Sequence, residues 1–310
     1  MKDSNSNIEK IRKHRKPIPV QVHYMLMVIP GFVWLILFSI VPMVGIVMAF
    51  QNFSPSKGWF GSEWVGWENF EYLWRLGDTR QVLANTLIIA SGKIVLNLLV
   101  PIIFAVLLNE VRNVKFKKTV QTIVYLPHFI SWVILASIMS NIFGYTGVVN
   151  LILGWFGVEP SVIMGNADTF RQLLIGTDVW KEFGYGAVIY LAALTGIDPN
   201  LYEAAAIDGA GRWKSIRHIT LPSLIPTIVL MGTLSLGNIL NGGFDQVFNM
   251  YNASVFSTAD IIDTWVYRIG LVNMQYSLAS CAGLLKSVVS LIMISASYLL
   301  ARKFADYRIF

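Results

Sequence analysis

Several stretches of this 310-residue chain run for twenty or more residues almost without charge, and that limits what the chain can fold into. As a helix such a run crosses the ~30 Å hydrocarbon core of a bilayer. Inside lipid every backbone N–H and C=O must be paired within the protein, which favours helices over open strands. Hydrophobic residues make up 55% of the chain and charged residues 14%, against ~25% charged in ordinary soluble domains. Mean hydropathy is +0.58. The expected fold class is an all-α polytopic membrane protein with six transmembrane helices, at about 24–50, 84–108, 119–143, 171–194, 222–243 and 278–301. The fourth is the weakest, because Asp178, Lys181 and Glu182 lie in its first half.

Loop charges orient the bundle. With the N-terminus inside, sixteen Lys and Arg fall on the cytoplasmic side and six on the outer side, with Lys93 and Lys286 left within spans. The positive-inside rule therefore predicts both termini in the cytoplasm. Residues 1–23 read as a basic cytoplasmic tail, 24–303 as the transmembrane domain and 304–310 as a second cytoplasmic tail. The first apolar run is too long for a signal-peptide core and is expected to stay as an uncleaved span. The pI near 9.3 follows from cytoplasmic Lys and Arg rather than from a nucleic-acid partner. Cys281, the single cysteine, permits no internal disulfide.

The predicted outer loops are aromatic. Trp59, Phe60, Trp64, Trp67 and Trp74 fill the first, which reads as an interfacial belt or, less simply, as contact with an extracellular partner. The third, about 144–170, contains an apolar stretch at 148–156 that reads as a short interfacial helix.

The polar loop at 198–222 is the most informative segment. Asp198 is a good helix N-cap and Pro199 suits the first helical position. Ala204, Ala205 and Ala206 favour helix and offer a smooth surface. Gly209 or Gly211 can take positive φ and stop the helix. A second short helix, about 212–218, is expected at an angle, with Pro222 starting the next span. A short capped helix anchored between two spans is a stiff lever, and Glu203 gives it a charge to present.

No phosphate loop of the G-x-x-x-x-G-K-[ST] type occurs in the chain, so it cannot grip ATP by that device. His14, His23, His128 and His218 are scattered without metal-ligand spacing. Cys281 has no visible base, and no nucleophile elbow is present. An enzyme is disfavoured and no metal site is expected.

The triplet Glu203-Ala204-Ala205, the following Asp208-Gly209, and Ile219-Thr220-Leu221-Pro222 nine residues later resemble the coupling loop of membrane subunits of binding-protein-dependent ABC importers. The stretches 242–252 and 258–268, with Gly242, Asp245, Gln246, Asp260 and Arg268, are similar to the polysaccharide-type carbohydrate permeases of that family. The likeness spans about 25–303. It implies a type I ABC importer permease fold in a bacterial cytoplasmic membrane. It implies ATPase coupling through Glu203, Ala204, Ala205, Asp208, Gly209, Ile219, Leu221 and Pro222. It also implies a heterodimer with a second permease, two ATPase subunits that carry ATP and Mg, and an extracellular or periplasmic solute-binding protein. No cofactor is expected on this chain.

Candidate pathway residues are Trp180, Lys181, Glu182 and Tyr185 in span four and Ser235, Asn238 and Asn241 in span five. Asn and Ser hydrogen-bond sugar hydroxyls, and Trp and Tyr stack on sugar faces. Lys93 and Lys286 are each costly in a span, by roughly 2.5–3.5 kcal/mol on insertion scales. Either they lend a cavity positive potential for an acidic saccharide, or they pair with Glu182 or helix-end carbonyls. Two rivals remain: an ATP-independent secondary transporter or channel, which leaves the 198–222 loop unexplained, and a sensor subunit that docks the ATPase without passing substrate.

Overall fold

The computed structural model describes residues 20–305. The N-terminal tail before Val20 and the residues after Ala305 lie outside it. The chain divides into two units, residues 1–47 and 48–310. The described part of the first is a helix. It begins as α1 (Val20–Leu35), passes through a π turn at Ile36–Ile40, and enters a tighter stretch, Val41–Phe50. Its side chains are apolar all round and largely exposed, the pattern of a helix whose solvent is lipid or another protein.

The second unit takes in the last residues of that stretch, from Met48, and continues with β1 (Gln51–Asn52), α2 (Gly58–Gly61) and β2 (Glu63–Trp64), the strands paired antiparallel. Phe50 stacks on Trp64 and meets Trp67 edge-on, so this aromatic loop is folded on itself. The remaining helices are α3 (Glu68–Arg75), α4 (Gly77–Asn109), α5 (Val114–Tyr125), α6 (Trp132–Ile142), α7 (Val148–Trp155), α8 (Ala167–Thr195), α9 (Pro199–Ile207), α10 (Arg212–Ser215), α11 (Leu221–Gly237), α12 (Phe244–Met250), α13 (Phe256–Ala259), α14 (Ile262–Tyr267) and α15 (Tyr276–Ala305).

Among the described residues, four helices are long and apolar enough to cross a membrane: Tyr24–Phe50, Gly77–Asn109, Arg212–Gly237 and Tyr276–Leu299. A fifth crossing is available if the bent pair Val114–Phe129 and Trp132–Ile142 counts as one. The segment expected as a fourth span is indeed one 29-residue helix, α8, but its charges keep it outside that set.

α4 and α8 lie along each other, and small residues set their approach. A Cβ on Gly186 would come 3.3 Å from Pro101 Cγ, and one on Gly92 would come 2.5 Å from Ile175 Cδ1. Three apolar clusters fill the unit. At the α9 end, Ala105, Val106, Ala187, Tyr190, Ile216 and Leu224 pack together. Ile89, Phe170 and Leu174 meet Val247, Val255 and Ile261. Leu73 and Val82 meet Trp265, Ile269 and Cys281. The second and third clusters bury the 244–272 segment, which its polar composition did not announce.

Two expectations need correction. The helix expected to run straight through 119–143 is broken, and its halves are bent by 103°. Pro127 lacks an N–H, Ile130 turns extended, and Ser131 restarts α6 with its side chain accepting from Ile134 N. Next, 222–243 is neither the start nor the end of its helix. The helix is continuous from Arg212 to Gly237, so no separate 212–218 helix stands at an angle. Pro222 lies inside it, just after a π turn at Ile216–Thr220; the widened turn relieves the ring clash and missing donor that Pro imposes. Beyond Gly237 the chain turns through residues 238–243, and Gly243 takes φ +89° before α12. Of the two loop glycines expected to stop the helix, Gly209 is the one that takes positive φ, +73°.

The crossing of α5 over α8 depends on Gly184, where a Cβ would sit 2.3 Å from Val124 O. Backbone cannot step aside cheaply, so Gly184→Ala is expected to destabilise the protein by about 1–3 kcal/mol and lower its Tm. Gly176→Ala on the same helix, with nothing within 4 Å, should hold or slightly raise Tm, since Ala is the better helix former. Thermal unfolding of the two purified variants checks the pair.

Candidate functional site

The 198–222 loop is built as a capped lever. Asp198 Oδ1 accepts from Asn200 N at 3.0 Å, with Pro199 first in the helix. At the other end Gly209 N donates to Ala206 O at 3.1 Å and Ala210 N to Ala205 O at 2.8 Å. This is the paired closure of a Schellman motif, and it requires the left-handed residue that Gly209 supplies. Asp208, between them, closes the last turn on Ala204 O. Glu203 and Ala204 are exposed, and Ala205 is half-buried. Ile219 is half-buried; Leu221 and Pro222 are exposed on the following helix.

Tyr202 OH and Thr220 Oγ1 share a hydrogen bond of 2.9 Å, and Thr220 is 1% exposed. The lever is thereby tied to the π turn of the span. Two loop residues that sequence reasoning passed over stand out: Ile207 is 87% exposed and Trp213 77%. An isoleucine and a tryptophan in an otherwise polar loop were the available signal.

A polar seam runs through the bundle. Lys93 on α4 is 6% exposed. Its ammonium lies 3.2 Å from Asp178 on α8, donates to Gly242 O at 2.7 Å and meets Gln246 of α12. Asp178 also accepts from Asn97 at 2.9 Å, and Gln246 donates to Leu174 O and Thr177 Oγ1. The partner of Lys93 is therefore Asp178, one turn before the expected Glu182.

Lys181 and Glu182 serve the elbow between α5 and α6. Lys181 Nζ donates to His128 O at 2.8 Å and to Glu182 at 2.9 Å, and lies over the Trp132 ring. Tyr185 stacks on His128, and Trp180 is exposed one turn away. Lys286 on α15 pairs with Asp263, again not with Glu182, and donates to Asn241 at 2.8 Å. Asn241 in turn donates to Asn238, whose backbone N–H closes on Ser235 O. The pathway candidates thus fall into one set at the elbow, a second around Lys286, and Lys93 bonded to the α8 and 238–243 segments between them.

A further knot fastens 244–272 to α4 and α8. Asp260 binds Thr264 and Arg268, and Asn85 donates to Asp260 O while accepting from Arg171. Burial works against the Arg268 charge, but Asp260 outweighs it and holds the guanidinium above its ordinary range. No group of three metal-ligating side chains occurs among the described residues.

The profile of the family described as "binding-protein-dependent transport system inner membrane component" matches residues 97–306, from the middle of α4 through the lever to α15. The chain belongs to this family. It is therefore a multi-pass inner-membrane transport subunit, not a catalytic one. Among curated relatives of this permease, protein LplB of Bacillus subtilis (strain 168) is 41% identical, covering 92% of this chain and 90% of that one. The polygalacturonan/rhamnogalacturonan transport system permease protein YteP of the same organism is 42% identical, covering 94% and 91%. Among solved structures, a bacterial ABC transporter involved in import of the acidic polysaccharide alginate superposes with TM-score 0.85 at 35% identity, covering 92% of this chain and 97% of that one. The type I importer permease fold is thereby established.

Lys93→Met alone leaves Asp178 charged and buried, a loss of about 3–5 kcal/mol in such settings. Lys93→Met with Asp178→Leu should cost less than the sum of the two single changes. A double-mutant cycle on Tm of the purified permease reads the coupling.

Proposed function

We propose that this chain is one permease half of an ATP-driven importer for acidic oligosaccharides, with both termini in the cytoplasm and α8 completing six spans. The observation that carries this is the capped lever: a rigid nine-residue helix with exposed Glu203 and Ile207, followed by the exposed Trp213 of α10, and tied to its span through Tyr202 and Thr220. Apolar knobs beside a carboxylate suit a groove on a soluble partner. In this reading that partner is an ATPase subunit, two of which bind ATP and Mg and dock the two permease halves.

The acidic-saccharide class is supported by the relatives. One carries polygalacturonan and rhamnogalacturonan in its name, and the alginate importer was also captured with a pentasaccharide-bound periplasmic protein. A second permease and a solute-binding protein follow by the same likeness. Lys286 is more accessible than Lys93, its side chain 18% exposed against 8%. It is the better source of positive potential along the path.

The cycle is alternating access by rigid-body motion. The loaded binding protein docks outside; ATP closes the ATPases; the lever follows and the spans open outward; hydrolysis resets them.

Glu203→Lys reverses the lever's charge, and Gly209→Pro forbids its φ of +73°. Both should leave membrane insertion intact and abolish uptake in proteoliposomes of the complete importer; full uptake in both removes the lever's role. Lys286→Met should lower uptake of trigalacturonate about tenfold, the equivalent of one charge-assisted contact, and leave maltotriose uptake nearly unchanged. Equal losses for both sugars would assign Lys286 to structure alone.

A further inference from the structure

His128 sits at the elbow of the bent helix, and three contacts fix it. Its Nδ1 is 2.7 Å from Glu182 Oε2; an ionised carboxylate can only accept, so Nδ1 carries the proton. Its ring lies flat against Tyr185, centroids 4.0 Å apart and planes 2° from parallel. Its backbone carbonyl accepts from Lys181 at 2.8 Å. Ring position, ring tilt and backbone are each restrained by a different α8 side chain.

Nε2 is left over. It has no hydrogen-bond partner among the described residues, and the side chain is 28% exposed. With Nδ1 protonated, neutral imidazole presents Nε2 as an acceptor. Around it lie two apolar plates, the half-exposed Tyr185 and the more exposed Phe129, whose ring meets His128 edge-on. A pinned acceptor beside aromatic surface matches a pyranose, which offers hydroxyl donors at its edge and a C–H face for stacking. A purely structural elbow would need the Lys181 and Glu182 bonds but not an unpartnered second nitrogen on a partly exposed side chain.

We infer that His128 is a saccharide-contacting residue: its Nε2 accepts a sugar hydroxyl while Tyr185 and Phe129 carry the sugar's apolar face. Glu182 and Lys181 act through it as positioning residues. This rests on the carbohydrate reading above and extends it to a named atom.

Two isosteres separate contact from scaffolding. Asn at 128 retains a donor near the Nδ1 position for Glu182 but has nothing at Nε2. Gln reaches the Nε2 position and gives up the Glu182 bond. Uptake of trigalacturonate, trimannuronate and maltotriose is measured in proteoliposomes of the full importer at saturating binding protein, with Tm and ATP turnover in parallel. Contact predicts that His128→Asn keeps Tm and basal ATP turnover while uptake falls about tenfold, and that His128→Gln recovers part of the uptake despite a lower Tm. Wild-type uptake in His128→Asn overturns the inference, as does uptake that merely tracks Tm across both variants. Carbethoxylation of His128, followed by mass spectrometry of the assembled wild type, should slow several-fold when the transported saccharide is present; an unchanged rate also overturns it. If the wild type moves none of the three sugars, it is the carbohydrate reading that fails instead.

Discussion

One buried ammonium, that of Lys93, holds together the part of the bundle where the backbone is least regular. Charge this deep in a span is expensive unless it is paired and hydrogen-bonded. Here it meets a carboxylate on α8, a carbonyl freed by the turn after α11, and an amide on α12. Non-helical backbone at membrane depth is tolerated only where protein or a polar cavity satisfies it. Lys93 supplies that satisfaction at residue 242, and Gly243 leaves it room, since a Cβ there would lie 2.7 Å from Nζ.

The same logic explains how α8, with five charged residues, can still pack along α4. Three of those charges are answered within the protein. Asp178 answers Lys93, Lys181 caps the carbonyl at the α5–α6 elbow, and Glu182 orients the histidine there. Each polar residue stands beside a break in a neighbouring helix. Broken helices near the bilayer midplane are where transporters place substrate, and the candidate pathway residues gather at these two breaks.

How much of this the sequence disclosed depended on range. The lever was legible because its determinants are local: Asp198, Pro199, three alanines and Gly209 each act within a turn or two. The family-bearing loop could be located for the same reason. The elbow was not legible, because 119–143 carries no Asp, Glu, Lys or Arg to mark a break and what ends the helix there is Pro127 together with partners more than fifty residues away on α8. Pro222 misled in the opposite sense. It suggested a start, but tertiary packing of Ile216 and Leu224 in one cluster carries the helix through it by way of a π turn. Buried partners for Lys93 and Lys286 were foreseeable in kind, since isolated charge in lipid is costly, but not in identity: Asp178 and Asp263 could be chosen only once the helices were docked.

That π turn also sets a bearing. Each residue of an α-helix rotates the chain by ~100°, and a π turn contains one more residue than the span's pitch calls for. The surplus at Ile216–Thr220 fixes the angle between the face that α11 buries and the direction in which the lever leaves it. The capped loop helix and the span that follows it are thus geared to each other by a single residue's worth of winding.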